Sequence, residues 1–136
     1  MHQRVAQEIE LIRSRFPSVQ HGEQLDWLLI SDYELPRGRY NKNYTRLLFR
    51  IPQGYPSTGP DDFFVENDLR LGSNELAPGF NSGANASSGP APIAGDWGWF
   101  SWHPQSWHPA ANITEGDNLL TFLKSVNLCI HGQEAS

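Results

Sequence analysis

The sequence of 136 residues contains a single cysteine, Cys129, and no long apolar run. One cysteine excludes an internal disulfide and any zinc site built on several thiolates. The longest apolar stretches are only a few residues, whereas a membrane-spanning helix needs about 20. The N-terminal residues also lack the apolar segment of a secretory signal. We therefore expect a soluble, cytoplasmic protein that does not contact a membrane.

Basic residues are scarce in the second half of the chain. Nine of the ten Lys and Arg residues precede Leu71, and the net charge is −5. Proteins that bind nucleic acids usually carry a positive surface. The basic run over residues 37–50 is the one segment that could supply such a surface, and binding there would depend strongly on salt. The overall balance argues against nucleic acid as a partner.

Two segments show the periodicity of amphipathic helices. Apolar residues recur at helical spacing before Pro17 and again over residues 119–130, where Gly132 ends the pattern. Between them, short apolar or alternating runs predict strands at 27–30, 45–51 and 63–65. The length suits one domain spanning residues 1–136. The order helix, antiparallel strands, helix predicts an α+β fold.

The strand predicted at residues 45–51 carries positive charge on one side. Arg46 and Arg50 share a side with Leu48, while Leu47, Phe49 and Ile51 face the opposite way. This alternation predicts a half-exposed strand with a cationic outer edge. The edge is either a solvated face or a surface that docks an acidic partner.

Residues 72–96 differ in composition from the rest of the chain. Twenty of these 25 residues are Gly, Ala, Ser, Asn or Pro. Loops longer than about 12–15 residues are uncommon in compact domains, and they tend to be functional or mobile. We expect a flexible loop, particularly over residues 80–89, that is either a neutral insertion or a functional element.

Cys129 is the one thiol in the sequence that could act as a nucleophile. Cys129 lies three residues after Val126 and seven after Phe122, which places it on the apolar face of the last predicted helix. A cysteine buried among apolar groups has a raised pKa and behaves as a small hydrophobic residue. A structural role is therefore predicted for Cys129.

Tryptophan is concentrated in a segment that also repeats a Ser-x-His pair. Residues 101–109 read Ser-Trp-His-Pro-Gln-Ser-Trp-His-Pro, with a period of five. A hydroxyl becomes a nucleophile when a neighbouring imidazole takes its proton, and the imidazole in turn needs an orienting partner. In sequence, Asp96 and Asp117 are the nearest carboxylates. The alternative is that Trp102 and Trp107 pack on the core while both histidines stay on the surface.

The same histidines could also ligate a metal. His103 and His108, together with Asp96 or Asp117, would form a mixed nitrogen and oxygen ligand set. No His-Glu-x-x-His or Cys-x-x-Cys motif is present. Gly-rich phosphate-binding loops are absent too. We therefore expect neither a metal nor a cofactor.

Several of these motifs together resemble a known family. The run Tyr55-Pro56-Ser57-Thr58-Gly59-Pro60 resembles the Tyr-Pro-x-x-x-Pro element of ubiquitin-conjugating (E2/UBC) enzymes and their RWD relatives. A closer likeness is to prokaryotic E2 family E, and it covers roughly residues 25–130. The elements that carry it are Leu35-Pro36-Arg37-Gly38-Arg39-Tyr40, Ile51-Pro52-Gln53-Gly54-Tyr55-Pro56, Ser101-Trp102-His103, Trp107 and Asp117.

The resemblance implies a UBC-like fold: an N-terminal helix, an antiparallel β-meander and a C-terminal helix. It also implies a ubiquitin-like modifier and an E1-like activating protein as partners. E2 enzymes carry the modifier as a thioester on a cysteine between the sheet and the last helices, and this sequence has no cysteine there. His103-Pro104-Gln105 resembles the E2 His-Pro-Asn element, but no cysteine follows about ten residues later.

Two functions remain open at this point. In the first, the protein is a transferase that holds the modifier as an oxyester, with Ser101, His103 and Asp117 as catalytic residues. In the second, it is a catalytically inactive pseudo-E2 or RWD-like module that docks a ubiquitin-like protein, an E1-like protein or another partner. The residues predicted to contact partners are Tyr55, Pro56, Trp99, Trp102, Trp107, Arg46 and Arg50.

Overall fold

The computed structural model describes residues 2–132, so residues 1 and 133–136 of the predicted domain lie outside the described part. Both predicted helices are confirmed, as α1 (His2–Arg13) and α2 (Leu119–Ile130). The strands are β1 (Val19–His21), β2 (Trp27–Glu34), β3 (Tyr44–Arg50), β4 (Phe63–Glu66), β5 (Phe80–Ser82), β6 (Asn85–Ala86), β7 (Gly89–Pro90) and β8 (Trp97–Phe100). Within residues 2–132, neither helix has the length and apolar character needed to cross a membrane.

One antiparallel sheet organises the chain. Its strand order is β1-β2-β3-β4-β8-β5, and β6 pairs separately with β7. The last long strand, β8, lies beside β4, with Phe100 opposite Phe63. This pairing brings the residues just before β4 next to the residues just after β8. The aromatic segment therefore leaves the sheet beside residues 61–62.

The inner face of the sheet packs on the two helices. Strand residues with period-two spacing point to this side, and they meet the apolar stripes of α1 and α2. Phe49 from β3 lies edge-to-face on Phe122 of α2, with ring centroids 5.0 Å apart. The helical stripe predicted for the last segment is buried: Leu119, Phe122, Leu123, Val126 and Ile130. The α+β prediction is confirmed.

The alternation on β3 predicted that the outer face of the sheet is exposed to solvent, but another segment of the chain covers part of that face. Leu48 is fully buried, and it belongs to a second apolar cluster with Phe64 and Trp97. Ala84, Ala86 and other small residues of the segment predicted as a flexible loop cover this cluster. The segment contains β5, β6 and β7, and its flexibility stays a prediction. The prediction of a half-exposed strand is therefore wrong at Leu48, because a distant segment covers it, whereas Arg46 and Arg50 on the same side stay half-buried.

A buried carboxylate joins both helices to the proline-rich loop. Glu8 of α1 is fully buried, and its Oε1 accepts hydrogen bonds from Tyr55 Oη and from the backbone N–H of Leu119, the latter at 2.7 Å. Its Oε2 lies 2.7 Å from Arg4 Nε. Negative charge at the first residue of α2 is favourable because free N–H groups point toward it. Glu8 therefore fixes α1, the loop and α2 in one arrangement.

Replacing Glu8 with alanine should destabilise the protein strongly. The substitution leaves the Tyr55 hydroxyl and the Leu119 N–H buried without their acceptor and removes the carboxylate that pairs with Arg4. We therefore expect the free energy of unfolding to fall by about 3–5 kcal/mol. Glu10→Ala is the matched control, since the Glu10 side chain is 70% exposed and its loss should change stability by about 0.5 kcal/mol or less. Urea unfolding measures both. Equal effects of the two variants would contradict the assigned role of Glu8.

Candidate functional site

The Ser-x-His pair closest to the sheet lies directly after β8. The backbone N–H of Ser101 donates to the carbonyl of Gly79 at 2.9 Å, and the Ser101 side chain is exposed. Trp102 is half-buried against the core, with its Nε1 3.2 Å from Ser125 Oγ on α2. His103 is again exposed. The chain therefore holds Trp102 against the protein and presents Ser101 and His103 to solvent on either side of it.

The carboxylate beside His103 is Asp61, which the sequence analysis did not identify. Nδ1 of His103 forms a hydrogen bond with Asp61 Oδ1, and both side chains are about half exposed. Asp61 lies two residues before β4, and His103 lies three residues after β8. The antiparallel pairing of Phe63 with Phe100 brings them together. Only the register of that pairing, which the sequence does not reveal, could have indicated this contact.

Asp117 was expected to be the carboxylate of the site, and its hydrogen bonds lie elsewhere. Its Oδ2 accepts from the backbone N–H of His108 at 2.7 Å, and its Oδ1 accepts from Thr121 Oγ1 at 3.1 Å. The orienting role assigned to it is therefore corrected in favour of Asp61. Asp117 instead links His108, in the second Ser-x-His pair, to Thr121 in the first turn of α2 through these two hydrogen bonds. Asp96 likewise hydrogen-bonds Asn67 and not His103.

The neighbouring carboxylate, Asp62, is buried and anchors the backbone of the site. Its Oδ1 accepts from the backbone N–H of Trp102 at 3.1 Å, and its own N–H donates to the carbonyl of Trp102 at 2.8 Å. Its Oδ2 accepts from the backbone N–H of Ser88 at 3.2 Å. The side chain is 1% exposed. Asp62 thus binds the segment between Ser101 and His103 and a distant turn at the same time.

The residues that come closest to a metal ligand set are Asp61, Asp62 and His103. One ligand atom from each lies within 4.8 Å of the other two. His108, which the sequence analysis considered as a ligand, does not belong to this group. Both carboxylate oxygens of Asp62 already accept backbone N–H groups, and His103 already pairs with Asp61. Each of the three residues therefore already has a partner within the protein.

The second tryptophan of the repeat packs on the proline-rich loop. Trp107 is half-buried, and its Nε1–H donates to the carbonyl of Pro56 at 2.7 Å. Its ring lies over Gly59, and the Tyr55 ring centroid is 6.0 Å from its own. The packing of Trp102 and Trp107, with exposed histidines beside them, agrees with the alternative that the sequence left open. It does not prevent Ser101 and His103 from reacting at the surface.

Tyr55 lies in the core and not on the surface that a partner could reach. Its side chain is 2% exposed, and its hydroxyl donates to Glu8. Burial, followed by the hydrogen bond and negative charge of Glu8, raises the pKa of Tyr55 above its ordinary value. The prediction that Tyr55 binds a partner is therefore corrected, because the core encloses the ring. Pro56 remains half-buried at the edge of this packing.

The remaining residues predicted to contact partners lie on the outer face of the sheet. The guanidinium carbon of Arg46 lies 4.4 Å from the Trp97 ring centroid, and its Nε lies 3.6 Å from Glu66 Oε2. Arg50 donates to the carbonyl of Pro90 at 2.5 Å. Trp99 on β8 is half-buried and packs beside the same cluster. Both arginines therefore already hold intramolecular contacts.

Cys129 is half-buried and packs against the core from α2. Burial raises the pKa of Cys129 to about 12, although the positive charge of Arg39 opposes the shift. A thiol with so high a pKa is almost entirely protonated at neutral pH and is a poor nucleophile. This environment agrees with the structural role predicted from its helical position.

An N-terminal helix, an antiparallel sheet and a C-terminal helix form a UBC-like α+β fold, with the proline-rich loop of residues 55–60 between β3 and β4. The family model described as prokaryotic E2 family E matches residues 8–132, and the chain belongs to this family. A search of curated proteins and a search of solved structures each found no match. Family membership supports an E2-like role in a bacterial conjugation-type pathway.

Replacing Gly59 with alanine should disturb the packing of Trp107. A Cβ at Gly59 would lie 2.5 Å from Trp107 Cδ2, which forces the indole or the loop to move. We expect the free energy of unfolding to fall by about 1–3 kcal/mol. Gly72→Ala is the control, since the nearest atom to its Cβ would be 3.7 Å away. Thermal unfolding measures both, and an unchanged melting temperature for Gly59→Ala would refute the close contact.

Cys129 should react slowly with alkylating reagents. At pH 8 a pKa of about 12 leaves far less thiolate than a free cysteine has. We therefore expect iodoacetamide to react with Cys129 in the folded protein at least about 100-fold more slowly than with a free cysteine. The rate should rise as the pH increases toward that pKa, because deprotonation creates the nucleophile. Mass spectrometry of native and urea-unfolded protein gives the comparison. Equal rates in the two states would show that the thiol is not protected.

Proposed function

We propose that this protein is an E2-like component of a bacterial ubiquitin-like conjugation pathway that accepts a ubiquitin-like modifier from an E1-like protein. The acceptor in this proposal is the hydroxyl of Ser101, which would hold the C-terminus of the modifier as an oxyester. The pathway would operate in the cytoplasm. The observation that supports the proposal most is the exposed Ser101 beside an exposed His103 that is paired with Asp61.

The three side chains suit activation of a hydroxyl. A carboxylate on one ring nitrogen fixes the orientation of a histidine and stabilises the imidazolium that forms when the other nitrogen takes a proton. Nδ1 of His103 faces Asp61, so Nε2 is the nitrogen left to act as the base. The described residues include no hydrogen bond between Ser101 Oγ and His103, and we propose that the pair closes when the modifier is bound.

The proposed transfer is an exchange of a thioester for an oxyester. Ser101 Oγ attacks the carbonyl carbon of the thioester that links the modifier to the E1-like protein. The new C–O bond forms as the C–S bond breaks. The Ser101 proton passes to His103 and then to the departing sulfur, so a free thiol is released on the E1-like protein. An oxyester is less reactive than a thioester, so onward transfer would need stabilisation of the developing oxyanion.

The absence of an E2-type thiol also leaves a second candidate function. A catalytically inactive module with the same fold would dock a ubiquitin-like protein, an E1-like protein or another partner. It is favoured by the lack of a hydrogen bond between Ser101 Oγ and His103 in the described part of the chain, where His103 pairs only with Asp61. In this case the outer face of the sheet around the half-buried Trp99 would contribute more to binding than Ser101 or His103.

Reconstitution with the E1-like protein, ATP and the modifier tests the oxyester directly. We expect an adduct that resists dithiothreitol, is cleaved by hydroxylamine and is lost in Ser101→Ala. Ser106→Ala is the matched control because it removes the serine of the second Ser-x-His pair and should leave the adduct unchanged. Ser101→Cys should convert the adduct into one that dithiothreitol cleaves.

Two results would count against the oxyester. An adduct that persists in Ser101→Ala places the modifier on another group. Binding of the modifier with no adduct in the parent protein, unaffected by Ser101→Ala and His103→Ala, would support the binding module in its place.

A further inference from the structure

The outer face of the sheet is covered by a segment that has almost no side-chain bulk. We call this segment, residues 83–93, the strap. It has no charged residue, and Ile93 is its only large apolar residue. Ala84, Ala86, Ala91 and Ile93 lie on the cluster formed by Leu29, Leu48, Phe64 and Trp97. Alanine side chains bury little area, so hydrophobic contact alone holds the strap weakly.

Few polar contacts attach the strap to the rest of the protein. Near its ends, Gly83 donates to Asn67 Oδ1 at 3.4 Å, and the carbonyl of Ile93 accepts from Trp97 Nε1 at 3.0 Å. Beyond its turn, the carbonyl of Pro90 accepts from Arg50. At the turn itself, the Ser88 N–H donates to Asp62. The contact with Asp62 is therefore the one that ties the turn of the strap to the interior.

Asp62 is the only one of these attachment residues that also holds the candidate site. One carboxylate oxygen accepts from Ser88 of the strap, and the other accepts from Trp102, between Ser101 and His103. The two oxygens belong to one rigid plane, so a rotation that follows one donor moves the acceptor away from the other. The side chain is 1% exposed, so water does not readily replace either donor.

We propose that Asp62 is a positioning residue that couples the strap to the candidate site, so that the seating of the strap controls the geometry of Ser101 and His103. The proposal rests on the proposed function for its catalytic consequence. With the strap in place, both N–H groups hold the carboxylate and the Trp102 backbone stays fixed. When the strap lifts from the outer face, Asp62 loses one donor, and the segment that carries the reactive pair loosens.

Asp62→Asn tests the carboxylate with little change to the backbone. Asp62 has φ +60°, a left-handed conformation that asparagine tolerates better than most residues. The amide has a single oxygen, so its NH₂ group must face one of the two backbone donors. We expect the Trp102 N–H to exchange with solvent about tenfold faster and the Ser101 adduct to form about tenfold more slowly.

Ser88→Pro tests the coupling from the side of the strap. Proline removes the N–H that Asp62 accepts, 26 positions away in the sequence. We expect the Trp102 N–H to exchange faster, although its own hydrogen-bond acceptor, Asp62, has not been replaced. Ser87→Pro is the matched control, because it places proline in the same two-residue turn and leaves the Ser88 N–H intact. Amide exchange followed by NMR gives the readout for each variant.

The double variant separates coupling from two independent defects. If Asp62 transmits the effect of the strap, Ser88→Pro should add little once Asp62 is asparagine. Additive effects, or an unchanged Trp102 exchange rate in folded Ser88→Pro, would overturn the proposal. The exchange measurement requires no modifier, so it stands even if the parent protein forms no adduct. Failure of the adduct alone would therefore refute the proposed function and leave the coupling tested.

Discussion

The buried carboxylate of Glu8 is the interaction on which the arrangement of the molecule depends. It accepts from the first N–H of α2 and from the Tyr55 hydroxyl, and it pairs with Arg4 one helical turn away. A buried charge without partners is strongly unfavourable. The position that satisfies Glu8 therefore fixes the N-terminal end of α2 and the proline-rich loop against α1. Trp107 then packs on that loop through Pro56 and Gly59.

A second buried carboxylate performs a similar task on the other side of the sheet. Asp62 joins the end of β8 to the strap, as Glu8 joins the two helices to the loop. Both residues are acidic, buried and bonded to backbone N–H groups distant in sequence. Between them they fix the two ends of the segment from Trp102 to Leu119, which contains both Ser-x-His pairs. Ser101 and His103 therefore lie at one end of a segment without regular secondary structure, and a buried carboxylate binds each end of that segment.

The chain belongs to an E2-like family, but its thiol does not lie where E2 enzymes carry the modifier. The chain belongs to prokaryotic E2 family E, yet its only cysteine is a half-buried residue of α2 with a raised pKa. An exposed hydroxyl and an imidazole held by a carboxylate occupy the end of β8 instead. Hydroxyl chemistry and partner binding both fit this surface, and they differ in whether Ser101 forms a covalent bond.

Periodicity in the sequence determined the two helices, strands β2, β3 and β4 and the structural position of Cys129, because burial of an apolar stripe is a local pattern. It did not reveal β8, which completes the sheet beside β4. The motif order determined the family. Tertiary structure alone decided that Asp61 and not Asp117 meets His103, since strand register joins residues about 40 positions apart. It also decided that Tyr55 is enclosed and that Leu48 is covered by the strap. Contacts between distant segments leave no spacing signal in a single sequence.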